Sequence, residues 1–144
     1  MPKLLIENSN KFMLPPHPIH MHDDVVNWIS ELEFCKIELL FFRKLLKQSV
    51  IVTKSKKRLN AYYSLELKLK KFDTVNLKKI LGDIRLHEHN LSEAERSKII
   101  VNEKSINKAH QKIRLNIEEF TGSIRKLKKE LFTFIENQHK ISVN

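Results

Sequence analysis

The chain has 144 residues, a net charge of +10 at neutral pH, one cysteine, two glycines and four prolines. That length suits one domain with its own apolar core, the lone cysteine excludes a disulfide framework, and sparse Gly and Pro exclude a fold built on many turns. A chain rich in Leu, Ile, Lys, Glu and Asn with so little punctuation is expected to be all-α. The expected architecture is an antiparallel bundle of three long helices, or four if a helix breaks near Asp73 or Gly122.

Residues 1–22 read as an extended N-terminal arm and 23–144 as a single bundle domain. Pro15, Pro16 and Pro18 fix their own φ and disfavour helix in the residues before them. Leu4, Leu5, Ile6, Phe12, Met13 and Leu14 give the arm an apolar side suited to packing along a bundle. The opening Met1 to Glu7 run is too short in apolar residues for a secretory signal. The strongest apolar stretch, Ile37 to Leu46, is broken by Glu38 and Arg43 and falls short of the roughly 20 residues that cross a bilayer. A cytoplasmic protein with no membrane insertion is the expectation.

The first helix is expected to begin at Asp23 or Asp24, whose carboxylates suit the positive end of the helix dipole. Val25, Trp28, Leu32, Cys35, Leu39, Phe42 and Leu46 alternate steps of three and four, the spacing of a coiled-coil seam. Cys35 falls in that seam, where burial raises a thiol pKa and denies access, so it reads as core. Phe34, Ile37 and Phe41 lie off the seam. Two phenylalanines and an isoleucine facing away from the core form an interaction surface, expected to be covered by a second copy in a homo-oligomer, most simply a homodimer, or by another protein.

Val50 to Thr53 is β-branched, and Ser55 is placed to cap a second helix. Tyr63, Leu65, Leu67 and Leu69 alternate as a half-buried strand would, while Leu59, Tyr62, Leu65, Leu69 and Phe72 fit a helix. Helix is preferred, because Lys54 to Asn60 contains no strong hairpin turn. An interruption is expected at Asp73-Thr74, with the apolar face resuming through Leu77, Ile80, Leu81 and Ile84. Ser92-Glu93-Ala94-Glu95 has the form of a capping box and marks the expected start of the last helix. From there Ile99, Ile106, Ala109, Ile113, Ile117, Phe120, Ile124, Leu127, Leu131 and Phe134 form one stripe with a stutter between Ala109 and Ile117. It predicts a helix to about His139, roughly 70 Å long and bent at most near Thr121-Gly122-Ser123.

His17, His20 and His22 beside Asp23 and Asp24, and His87-Glu88-His89, are dense enough in imidazole and carboxylate to suggest a transition-metal site drawn from His20, His22, His87 and His89. The spacing is unspecific, since a His-x-His pair in extended chain points its rings to opposite sides. A di-iron bundle needs two Glu-x-x-His pairs, and only Glu136 to His139 matches. His110 sits beside the last seam without the flanking Lys-Gly of a phosphotransfer histidine, and reads as structural. No nucleophilic triad order, phosphate-cradling glycine loop or paired CxxC is present, so no cofactor is called for. Most of the net charge lies between Arg43 and Lys79, where the cations are opposed only by Glu66 and Asp73. With Tyr62 and Tyr63 as stacking surfaces, that segment suits backbone-dominated, sequence-independent nucleic-acid contact as well as a solvated lysine face. The leading expectation is a non-enzymatic helical bundle acting through protein association, the alternatives being a basic nucleic-acid-associated protein and a histidine-dependent metal binder.

Overall fold

A computed structural model describes residues 18–49, 55–97 and 103–143. Among the described residues, four helices run in chain order: α1 (Pro18–Gln48), α2 (Lys56–Lys71), α3 (Leu77–Ser97) and α4 (Glu103–Val143). A five-residue π-helical turn, Phe72–Asn76, joins α2 to α3 without breaking the rod, so the fold is three long helical rods packed as an all-α bundle. The second rod runs antiparallel to the first, because His22 near the start of α1 meets Glu95 near the end of α3, whereas Arg43 meets Asp73. The third runs alongside the first, pairing Asp24 with His110 and Glu38 with Lys128.

Each rod contributes one seam to a common core. On α1 it is Met21, Val25, Trp28, Leu32, Cys35, Leu39, Phe42 and Leu46, the expected set extended by one turn. Full burial of each such side chain contributes about 1.5–3 kcal/mol. The extension arises because α1 starts at Pro18 rather than Asp23 or Asp24. Proline tolerates the first helical turn, where its missing N–H has no acceptor to lose, so residues 18–22 of the expected arm belong to the helix. Residues 1–17 of that arm, and Val50 to Thr53, lie outside the described residues.

Ser55 caps α2 as expected, its Oγ accepting from the Arg58 N–H at 3.4 Å. Tyr63 to Leu69 is helical, and the strand alternative is set aside. The expected interruption at Asp73-Thr74 is the π turn. Its cause is legible in the spacing: Leu65, Leu69 and Phe72 step by four and three, the next buried apolar residue, Leu77, lies five on past the exposed Val75, and Ile80, Ile84, His87 and Leu91 resume threes and fours. One extra residue in the turn brings Leu77 rather than Asn76 into the core. The Leu77 N–H reaches back to the Phe72 carbonyl, and the Thr74 hydroxyl donates to the Lys70 carbonyl at 2.8 Å.

Two expectations for the last helix are corrected. Ser92 to Glu95 does not start it; these residues are the last turns of α3, and α4 begins at Glu103. The tertiary context overrides the capping pattern, since Leu91 is buried and Glu95 is held by His22. The stutter is also absent. His110 is buried and Ala109 exposed, so the seam runs Ile106, His110, Ile113, Ile117, Phe120, Ile124, Leu127, Leu131 in unbroken fours and threes. Gly122 causes no break, and α4 extends 41 residues, about 60 Å. α1, at 31 residues, is ten residues or about 15 Å shorter.

Candidate functional site

Two features stand apart from an ordinary apolar bundle: a polar network inside one end and an uncovered apolar stripe on α1. The network forms because the seam of α3 places His87 between Ile84 and Leu91, while that of α4 places His110 between Ile106 and Ile113. His110 is fully buried and His87 nearly so. Their rings meet with His87 Nε2 2.9 Å from His110 Nδ1, and His110 Nε2 lies 2.8 Å from Asp24 Oδ2. Arg114 donates to the same carboxylate oxygen at 3.2 Å, and Trp28 packs over His110 with ring centroids 4.5 Å apart.

Donor and acceptor logic fixes the proton positions. A carboxylate only accepts, so His110 carries its proton on Nε2 and donates to Asp24; its Nδ1 must then accept, and His87 donates from Nε2. Burial drives the His87 pKa down to about 4, helped by the fields of His110 and His22. Burial also lowers His110, a shift opposed by the hydrogen bond and charge of Asp24 and reinforced by Arg114. Both imidazoles are therefore neutral at pH 7, and the network's only charges sit at its rim on the half-exposed Asp24 and Arg114.

Such a relay joins all three rods at one level through polar contacts with directional requirements. Sliding any rod by one turn would strand a buried donor or acceptor, which costs about 1–3 kcal/mol. It resembles a proton-relay dyad in its bonds, yet the complete burial of His110 keeps substrate atoms away. The same burial rules out an exposed phospho-acceptor at this position.

The four histidines proposed for a metal are distributed as follows. His22 lies between Glu88 Oε1 at 3.1 Å and Glu95 Oε1 at 3.0 Å, tying the start of α1 to α3. His87 belongs to the relay, and His20 and His89 are exposed. The two sequence clusters thus do meet at one end of the bundle, through His22 and Glu88 rather than through converging imidazoles. Among the described residues, no group of three or more His, Cys, Asp or Glu side chains is arranged to hold a metal ion. Asp24, read from sequence as a helix-start residue, and Arg114 were not foreseen as relay partners. The seam spacing of His87 and His110 was the available signal for the pair itself.

On the opposite side of α1 from its seam, Phe34 is 60% exposed, Ile37 64% and Phe41 58%, joined by the exposed Leu40. Apolar residues on both sides of the helix give it almost no net amphipathicity in the middle. Phe41 lies 6.1 Å from Phe42, which is buried in the seam and meets the exposed Phe132 of α4 edge-on at 6.1 Å. Cys35 on the inner side is buried, and its thiol is pushed up to about 11 by burial and then by Glu38 and Glu31. Among the described residues, no helix is long and apolar enough to cross a membrane. No protein family, curated protein or solved structure matches the chain.

Proposed function

We propose that this chain is a non-enzymatic interaction protein whose bundle docks a second copy of itself through the outer stripe of α1. The observation that carries the reading is the exposure of Phe34, Ile37, Leu40 and Phe41 as one contiguous stripe, a cluster that monomers rarely leave in water. The charge of α1 supports a second copy as occupant. Glu31 and Glu33 precede the stripe, and Lys44 and Lys47 follow it. An antiparallel pair crossing at Ile37 sets the acidic stretch of each copy beside the basic stretch of the other, and places Phe34 and Phe41 across from each other's helices. A two-fold contact of this kind is self-complementary. The stripe is modest, so the area buried falls near the low end of about 1,200 Å² for specific interfaces, and a micromolar dissociation constant is expected.

Sedimentation equilibrium tests the reading. The wild type should dimerise at micromolar concentration, and Phe34→Glu with Phe41→Glu should give a monomer with an unchanged helical circular dichroism spectrum. Glu33→Lys or Lys44→Glu alone should weaken the dimer, and the two together should restore it, because the pair is exchanged across the interface. A wild type monomeric at every concentration would overturn the reading. So would a monomer that dimerises once residues 1–17 are removed, which would make Leu4, Leu5, Ile6, Phe12, Met13 and Leu14 the natural cover of the stripe.

A further inference from the structure

The bundle is electrically polarised along its length. At the relay end Asp23, Asp24, Asp83, Glu88, Glu93 and Glu95 are balanced by Arg85, Arg96, Lys104, Lys108, Lys112 and Arg114. Toward the opposite end, the exposed residues of the second rod include Lys56, Lys57, Lys70, Lys71, Lys78 and Lys79, with further cations on the ends of α1 and α4. The asymmetry is sharpest on the second rod, where residues 56–79 carry eight Lys and Arg against Glu66 and Asp73, and residues 80–97 carry Arg85 and Arg96 against four carboxylates. Crowding like charges costs stability through self-repulsion. Three of the nearby carboxylates are engaged elsewhere, Glu130 with Lys68, Glu38 with Lys128 and Asp73 with Arg43, which leaves Glu66 as the acidic side chain within the segment. The six exposed lysines make no ion pair among the described residues.

Helical spacing sets five of these lysines, all but Lys57, along one side. Opposite the buried Leu65 and Leu69, the outward line of the second rod passes Lys56, Tyr63, Leu67 and Lys70-Lys71, then Val75 and Lys78-Lys79 beyond the π turn. Tyr63 is 61% exposed, with its ring held edge-on to Tyr62 at 5.4 Å, so one face of an oriented aromatic is open to a planar ligand. From Lys56 to Lys79 the line is about 35 Å long.

We propose that this face binds a nucleic-acid strand without sequence preference, the lysines contacting successive phosphates and Tyr63 stacking on a base. Lysines supply point charges rather than the guanidinium forks that read base edges, and the exposed aromatic favours unpaired bases over duplex. An anionic membrane is the weaker fit. A helix lying in a bilayer surface buries a broad apolar face, and here Tyr63, Leu67 and Val75 are separated by lysines. The binding face is distinct from the α1 stripe, so this proposal stands or falls separately from self-association.

Fluorescence anisotropy with a labelled poly(dT) oligonucleotide, the matching duplex, and vesicles of phosphatidylserine and phosphatidylcholine tests it, using the full chain. Five phosphate contacts predict that log K falls with log salt at a slope of about −3.5 on the single strand. Replacing Lys70 and Lys71 by Gln should reduce the slope by roughly 1.4. Tyr63→Ala should weaken single-strand binding about fivefold or more and leave duplex binding nearly unchanged. Lys104→Gln with Lys108→Gln, cations removed from the relay end of α4, should leave both slopes as they were, and so should Phe34→Glu. The proposal is overturned by absence of binding at about 50 mM salt. Vesicle binding without oligonucleotide binding overturns it as well, as does an equal loss from the control lysine pair.

Discussion

The two ends of the bundle solve different problems with the same helical rods. At one end the core is polar, with His87, His110 and Asp24 in a hydrogen-bonded chain and Trp28 packed over it; the surface there mixes acidic and basic side chains. Toward the other the core is apolar, with Leu39, Phe42, Leu46, Leu65, Leu69 and Leu131 in contact, and the surface is basic and partly apolar. Apolar contacts are non-directional and tolerate a rod shifted by a turn, whereas a buried imidazole pair does not. The relay end thus fixes how the rods align, and the apolar end holds them together while its outer faces remain available to partners.

Substitutions that probe this division should differ in size and in kind. The largest loss is expected from Leu39→Ala, which opens a cavity in the apolar core and should cost about 2–5 kcal/mol by chemical denaturation. At the relay, Asp24→Ala leaves the buried His110 Nε2–H and Arg114 without their shared acceptor and should cost about 1–3 kcal/mol. Replacing both imidazoles, His87→Leu with His110→Leu, should be far milder than either single change, because removing both partners strands nothing. If the double variant is instead as damaging as the sum of the singles, the pair acts through packing alone.

The same comparison has a pH signature. In the unfolded chain an imidazole titrates near 6.5, and in the fold His87 is held down at about 4. Between those values the unfolded state binds more protons, so the contribution of the buried neutral ring is complete above pH 6.5 and is lost as pH falls toward 4. His110, lowered in the same direction, adds to the decline, and the polar groups around the pair are Asp24, Arg114, His22 and Glu88. Melting temperatures of the wild type should drop across this window and those of the double leucine variant should drop less. The smallest effect is expected for Lys68→Ala, which removes an exposed bridge to Glu130 and should change stability by no more than about 0.5 kcal/mol.

Much of this organisation is written in step lengths. Val25 to Leu46 gave the seam of α1 residue for residue, and Phe34, Ile37 and Phe41 fell off it and are exposed. The step of five from Phe72 to Leu77 contains the π turn, though it reads as a break until the neighbouring rods show the core continuing. Local chemistry misled at Ser92 to Glu95, where a capping pattern sits inside a helix whose end is held by tertiary contacts with α1. It misled again at Ala109 and His110. Apolar identity favoured the alanine, and spacing alone favoured the histidine. Burial of an imidazole is acceptable only when a partner waits for each nitrogen, and that partnership spans helices far apart in sequence, so it became visible only with the fold.

The central claim is that two neutral buried histidines, chained to Asp24, align the three rods. Nitrogen-15 NMR of the histidine rings, followed through a pH titration, tests it most directly. The account predicts that His87 and His110 are both neutral at pH 7 with the proton on Nε2, and that His87 titrates only near pH 4. A His110 ring protonated on Nδ1, or a His87 ring titrating at its ordinary 6.5, would contradict it.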